Sequence, residues 1–109
     1  MVQFSRDLDS AFAAVADPTR RGILERLGYA DASITELAGA FDMTLTGMKK
    51  HVAVLEEARL VTTKKLGRVR TCRLGPRRLE SEAKWIEKFQ RMMDDRFNRL
   101  EDLLERTKE

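Results

Sequence analysis

The stretch "TLTGMKKHVAVLEEARLV", Thr44 to Val61, holds the chain's single histidine, His51, beside two lysines, Lys49 and Lys50. With one cysteine elsewhere, Cys72, these are the side chains whose chemistry is worth asking about. A transition-metal centre needs several nitrogen or sulfur donors, and one His with one Cys does not make a set. No Ser/His/Asp or Cys/His arrangement can be built with partners to spare, and the many carboxylates fall on amphipathic helices, so catalysis has no positive support. A lone cysteine forms no internal disulfide and fits a reducing cytoplasm. On a strand it is expected as a small buried hydrophobe rather than as a redox switch. His51 either packs against, or bonds, a neighbouring backbone group, or it touches a phosphate. What remains is the chemistry of fixed positive charge.

That charge is concentrated. Residues 1–43 carry 4 Lys+Arg against 7 Asp+Glu, residues 44–78 carry 10 against 2, and residues 79–109 carry 7 against 9. A basic block between acidic flanks is the footprint of a nucleic-acid surface, and charge alone serves a solvated basic loop equally well. Helical spacing sorts the stretch into two faces at about 100° per residue. Leu45, Met48, Val52 and Leu55 form an apolar face, while Thr46, Lys49, Lys50 and Ala53 collect on the other. Glu56 and Glu57 close the helix, where negative charge meets the unfavourable end of the helix dipole. Propensity does not explain that order.

The elements that must hold this face can be read from caps and periods. Phe4, Leu8, Phe12 and Val15 mark a short amphipathic helix. "ADPTRRGILERLG" starts a second, with Asp17 as N-cap, Pro18 at the first helical position and Gly28 as C-cap. Arg20 and Arg21 after that cap are expected in surface salt bridges or on phosphate. Ser33 with Glu36 forms a capping box before a third helix, Ile34 to Phe41, and Thr44 caps the fourth after a tight turn at Asp42-Met43. Two short helices joined so tightly are a helix-turn-helix candidate. β-Branched residues around Leu66-Gly67-Arg68 then signal a hairpin rich in Lys64, Lys65, Arg68 and Arg70. Pro76 is expected to open a long last helix. Its stripe of Leu79, Ala83, Ile86, Phe89, Met93, Phe97, Leu100 and Leu104, edged by Trp85, Met92 and Leu103, needs a partner helix; self-association is the simplest solution. Met43, Met48, Met92 and Met93 are expected to fill core gaps. No charge-free apolar run approaches the roughly 18 residues of a membrane span, and the first twenty residues lack a signal-peptide core.

The fold class expected is therefore mainly α with a small β-hairpin. In detail "FAAVADPTRRGILERL", "SITELAGAFDMT", "KKHVAVLEEARLV" and "GRVRTCRL" resemble, in order and spacing, the arsenic-repressor (ArsR) family of winged helix-turn-helix transcription regulators. The likeness runs over roughly residues 10 to 90, and the third and last helices lack the Cys and His sets of metal-sensing members. It implies a DNA-binding domain over residues 1–75 and a dimerisation helix over residues 76–109 packed with the N-terminal helix. The pair would form a homodimer through the first and last helices, with Phe4, Leu8, Phe12, Ile86, Phe89, Met93, Phe97, Leu100 and Leu104 in the seam. Double-stranded DNA is the implied partner: Thr46, Lys49 and Lys50 at base edges and flanking phosphates, Thr44 at the helix N-terminus, Gly47 permitting close approach, and the hairpin wing contributing Lys64, Lys65, Arg68 and Arg70. The resemblance implies a cytoplasmic bacterial protein on the nucleoid, with no membrane partner and no cofactor, and with room for a small-molecule inducer of unnamed class. Departures are Thr46-Gly47-Met48-Lys49 where members often have a Ser-Pro-Ala-Val-Ser-like run, Arg59 where a glycine commonly ends the helix, and Cys72 where an aromatic is common. A helical protein-interaction module with incidental basic charge is the competing reading.

Overall fold

The computed structural model describes residues 6–107, so Phe4 lies outside the described residues. The chain divides into two compact units, Met1–Arg78 and Leu79–Glu109. In the first, α1 (Arg6–Val15) and α2 (Pro18–Leu27) are followed by a two-residue strand β1 (Ala32–Ser33), α3 (Ile34–Ala40), α4 (Leu45–Glu57), β2 (Val61–Leu66) and β3 (Val69–Leu74). The second unit is one helix, α5 (Glu80–Thr107).

Local chemistry sets the helix ends. Asp17 accepts the Arg20 N–H at 3.0 Å, with Pro18 in the first turn. The Ser33 hydroxyl accepts from the Glu36 N–H at 3.0 Å while the Glu36 carboxylate reaches back to the Ser33 N–H, a complete capping box. Thr44 Oγ1 accepts from the Gly47 N–H at 3.1 Å. Gly28 closes α2 in right-handed geometry, so its freedom to turn left is unused there. Among the described residues other than glycine, the left-handed ones are Asp42 (φ 52°) in the turn between α3 and α4 and Arg59 (φ 62°) after α4. Arg59 thus takes the conformation that a glycine adopts without steric cost.

The core gathers Ala14, Ile23, Leu27, Ile34, Leu37, Met48, Val52, Leu55, Leu60, Val61 and Cys72. Several expectations need correction. Leu45 is 45% exposed: it opens α4 beyond the edge of the core. α1 is the short amphipathic helix expected; its fully buried residues are Ala11 and Ala14, and Leu8, Phe12 and Val15 are half-buried. The final helix begins at Glu80, not at Pro76; residues 75–79 are non-helical, and Leu79 O accepts the Ala83 N–H at 3.0 Å. Glu80 and Glu82 in its first turn suit the positive end of the helix dipole. Of the four methionines expected in the core, Met48 is buried and Met43 packs against it, but Met92 and Met93 are exposed on α5.

β2 and β3 pair antiparallel around a turn in which Gly67 has φ 62°, and β1 adds on the other side of β3, giving the order β1-β3-β2. Pairing of Thr63 with Cys72 and of Lys65 with Arg70 fixes which residues share a face. Cys72 is buried, so Lys65 and Arg70 extend the inward face past the end of the core. Lys64 and its partner Thr71 lie on the opposite face.

Candidate nucleic-acid interface

Past the edge of the core, the α4 N-terminus, the start of α3 and the hairpin tip enclose a cleft of about 300 Å³ lined by Ile34, Thr35, Leu45, Lys49, Lys65, Arg68 and Arg70. Ile34 and Leu45 give it an apolar floor, Thr35 supplies a hydroxyl, and four cations form its rim. None of the lining residues is acidic. Lys65 and Arg70 are direct cross-strand partners, an arrangement that like charges disfavour unless an anion joins them.

The structure brings together four of the residues singled out in the sequence: Lys49, Lys65, Arg68 and Arg70. Thr46 and Lys50 are exposed on α4 outside the cleft's lining, Gly47 is half-buried, and Thr44 is occupied as the N-cap. At Gly47 an added Cβ would meet Thr44 Oγ1 at 3.1 Å and Met43 Cε at 3.3 Å, so the glycine eases the cap. Ile34, Thr35 and Leu45 were not expected at the site; their place there comes from tertiary packing.

Two groups of side chains hold the cationic elements in position. At the C-terminal end of α4, Arg70 Nη1 donates to Thr63 Oγ1 at 2.8 Å, and the Thr63 hydroxyl donates to Glu56 Oε2 at 2.9 Å. This chain of bonds ties both strands of the hairpin to α4 and gives the acidic helix end its reason. At the other side of α4, His51 Nδ1 lies 3.2 Å from Arg20 Nη1 and 4.0 Å from the Asp17 carboxylate. Arg20 and Arg21 also bond the last carbonyls of α1, Arg20 with Ala13 and Ala14 and Arg21 with Val15. Among the described residues neither arginine pairs with a carboxylate in the surface salt bridge expected for it: terminal carbonyls left open by a helix end are strong local acceptors. The Arg20 backbone N–H holds the Asp17 carboxyl below the usual carboxylate range against the opposing effect of burial, and the Arg20 and His51 side chains also lower it. Cys72 is fully buried, and desolvation, followed by the Glu56 charge, pushes its thiol up to about 11 against the pull of Arg70. Such a thiol is inert rather than poised for redox chemistry.

A helix-turn-helix of α3 and α4, backed by α2 and flanked by the β2–β3 hairpin, is a winged helix-turn-helix domain, the class of protein built to set one helix against duplex DNA. Comparison with known proteins narrows it. A helix-turn-helix domain family matches residues 15–64. The HTH-type transcriptional regulator Rv2034 of Mycobacterium tuberculosis is 34% identical over 84 residues, covering 77% of this chain and 78% of that protein. The transcriptional repressor SdpR of Bacillus subtilis is 26% identical over 75% of this chain and 91% of its own length. Among solved structures, the ArsR family transcriptional regulator RHA00566 superposes with a TM-score of 0.75 at 38% identity, covering 86% of this chain and 97% of that one. An ArsR-like transcriptional regulator from Rhodococcus sp. RHA1 gives 0.77 at 32%, covering 91% of each chain. The chain belongs to the ArsR family of winged helix-turn-helix transcriptional regulators, DNA-binding proteins and not enzymes. No described helix is long and apolar enough to cross a membrane.

Proposed function

We propose that the protein is a homodimeric repressor that occupies a two-fold operator on the bacterial chromosome in the cytoplasm, with the α3–α4–wing cleft receiving one sugar–phosphate segment of each half-site. The cleft is the observation that carries this reading: four cations, one hydroxyl and an apolar floor, with no acidic residue in the lining, match a sugar–phosphate unit better than they match solvent. Lys49, Lys65, Arg68 and Arg70 neutralise phosphates and set register, with Lys64 contributing from the other face of the wing and Thr44 from the α4 N-terminus. Thr46 and Lys50, exposed on α4, face base edges, where a lysine donates to guanine O6 and N7 and a threonine reads an acceptor or a thymine methyl.

Dimerisation is supported by α5. Ile86, Phe89, Met93, Phe97, Leu100 and Leu104 lie between 37% and 61% exposed in the single chain, and Trp85 stacks on Phe89 with ring centroids 5.5 Å apart beside them. An apolar stripe of that length is covered in a stable protein. A second copy of α5, with Leu8 and Phe12 of α1 in the same seam, is the cover that also sets two α4 helices about one DNA turn apart. The repressor SdpR among the relatives supports repression over activation.

The test is fluorescence anisotropy on the DNA upstream of the protein's own coding sequence and on a shuffled duplex of equal length, at two salt concentrations. A preference for the upstream DNA on the order of 10³-fold is expected. Equal binding to both duplexes counts against an autoregulatory operator, and failure to bind either at low salt counts against the whole reading.

A further inference from the structure

The Arg20 guanidinium is used on three edges at once. Nε donates to Ala14 O at 2.8 Å, Nη2 to Ala13 O at 3.0 Å, and Nη1 to His51 Nδ1 at 3.2 Å. The first two acceptors are open carbonyls at the end of α1; the third is a side chain midway along α4. A guanidinium has only donors, so this bond requires the lone pair of Nδ1 and with it the imidazole proton on Nε2. The Asp17 carboxylate, fixed by the Arg20 backbone N–H at 3.0 Å, stands 4.0 Å from the same Nδ1 and offsets the arginine's charge. On α4, His51 lies between exposed Lys50 and buried Val52, at the border of the cationic face and the core. A planar fork bonded to both helices resists rotation of one against the other. A lysine, with a single nitrogen on a flexible stem, would not.

We propose that Arg20 and His51 are positioning residues: the pair fixes the roll of the recognition helix α4 against α1 and passes the geometry of the dimer seam to the DNA-reading face. The inference rests on the proposed function, in which α1 belongs to the seam and α4 to the reading face. In this role neither side chain touches DNA. The pair acts on which sequence is preferred, not on how many phosphates are neutralised. Both helices contribute to the same core, Ala14 from α1 and Met48, Val52 and Leu55 from α4, so a roll set at their border reaches Lys50 next to His51 and Thr46 about one and a half turns away.

The experiment uses the full chain with Arg20→Lys, His51→Phe, the double variant and His51→Asn, whose amide oxygen can replace Nδ1 as acceptor. Urea unfolding and sedimentation equilibrium first establish that each variant folds and assembles as the wild type does. Anisotropy then gives the preference for upstream over shuffled DNA and the salt slope on the shuffled duplex. Loss of one bridging hydrogen bond is expected to lower the preference roughly five- to tenfold in each single variant. The double variant should lose no more than either single one. His51→Asn should stay within about twofold of wild type, and the salt slope should not move, since no phosphate contact is removed. Additive losses, an unchanged preference, or a slope that falls by about one in His51→Phe would each overturn the proposal. A wild type without any preference would overturn the operator reading instead. Independently of DNA, ¹⁵N NMR of the free protein should show the His51 proton on Nε2, and a proton on Nδ1 would also overturn the pairing.

Discussion

Replacing Gly75 by alanine places a Cβ 2.4 Å from Arg59 O and 3.0 Å from the carbonyl carbons of Arg59 and Leu60. All three atoms are backbone, so no side chain can rotate away. Ordinary contact requires the two segments to part by about 1 Å. The same segments are joined by the Gly75 N–H, which donates to Leu60 O at 2.8 Å, and separation stretches that bond. Overpacking of this kind costs about 1–3 kcal/mol, and a weakened hydrogen bond adds about 0.5–1.5 kcal/mol. The alanine's smaller unfolded-state entropy returns about 0.4–1 kcal/mol. The net expectation is destabilisation by about 2 kcal/mol. Gly39 is the control: it lies in α3 with nothing within 4 Å of an added Cβ, so Gly39→Ala is expected to be neutral or stabilising by up to about 1 kcal/mol. Urea unfolding at one fixed protein concentration, with m held equal, reads both, since the midpoint of a dimer depends on concentration. A Gly75→Ala variant within about 0.5 kcal/mol of wild type, or one less affected than Gly39→Ala, would refute the close approach between the wing exit and the end of α4.

Other expectations follow from the same geometry. With its folded value raised to about 11, Cys72 contributes stability that is complete below the unfolded thiol's pKa and declines as pH rises from there towards the folded value. At pH 8 a thiol reagent should react with it in urea but not in the native protein; rapid native reaction would contradict its burial. Thr63→Val keeps the side chain's shape but removes both bonds of the Glu56–Thr63–Arg70 chain. As those bonds are exposed, stability should fall by less than about 1 kcal/mol, while amide exchange at the hairpin tip accelerates. Unchanged exchange would deny the chain its anchoring role. Ser33→Ala removes one half of the capping box at a buried position and should cost about 1–2 kcal/mol in thermal or urea unfolding.

What the sequence made legible was written in local signals. Asp17, Ser33 and Thr44 act over three residues, so their caps are visible without knowing what packs where. The buried face of α4 follows from helical spacing for Met48, Val52 and Leu55. It fails for Leu45, where the period continues but the core has ended. Pro76 misled because proline suits the first turn of a helix, yet the chain runs non-helically to Leu79 before α5 begins. The hairpin was readable from its β-branched flanks. β1 was not, since two residues show no period. Least legible were the contacts that orient the site. Arg20 reaches six and seven residues back and 31 forward, and Arg70 reaches seven back to Thr63 across the hairpin. The cationic cleft belongs to this last group: its residues come from α3, α4 and the wing, and only the fold puts Lys49 opposite Lys65 and Arg68.

The most direct test of that cleft is the slope of log affinity against log salt on a shuffled duplex, for the wild type and for Lys49→Ala, Lys65→Ala and Arg68→Ala. Arg26→Ala serves as reference, since that guanidinium is engaged by the Ala30 carbonyl on α2's far end. Each cleft variant should lower the slope by about 0.9 per lost phosphate contact, and the Arg26 variant should leave it unchanged. Slopes indistinguishable from wild type in all three cleft variants would contradict the cleft as the place where DNA is held.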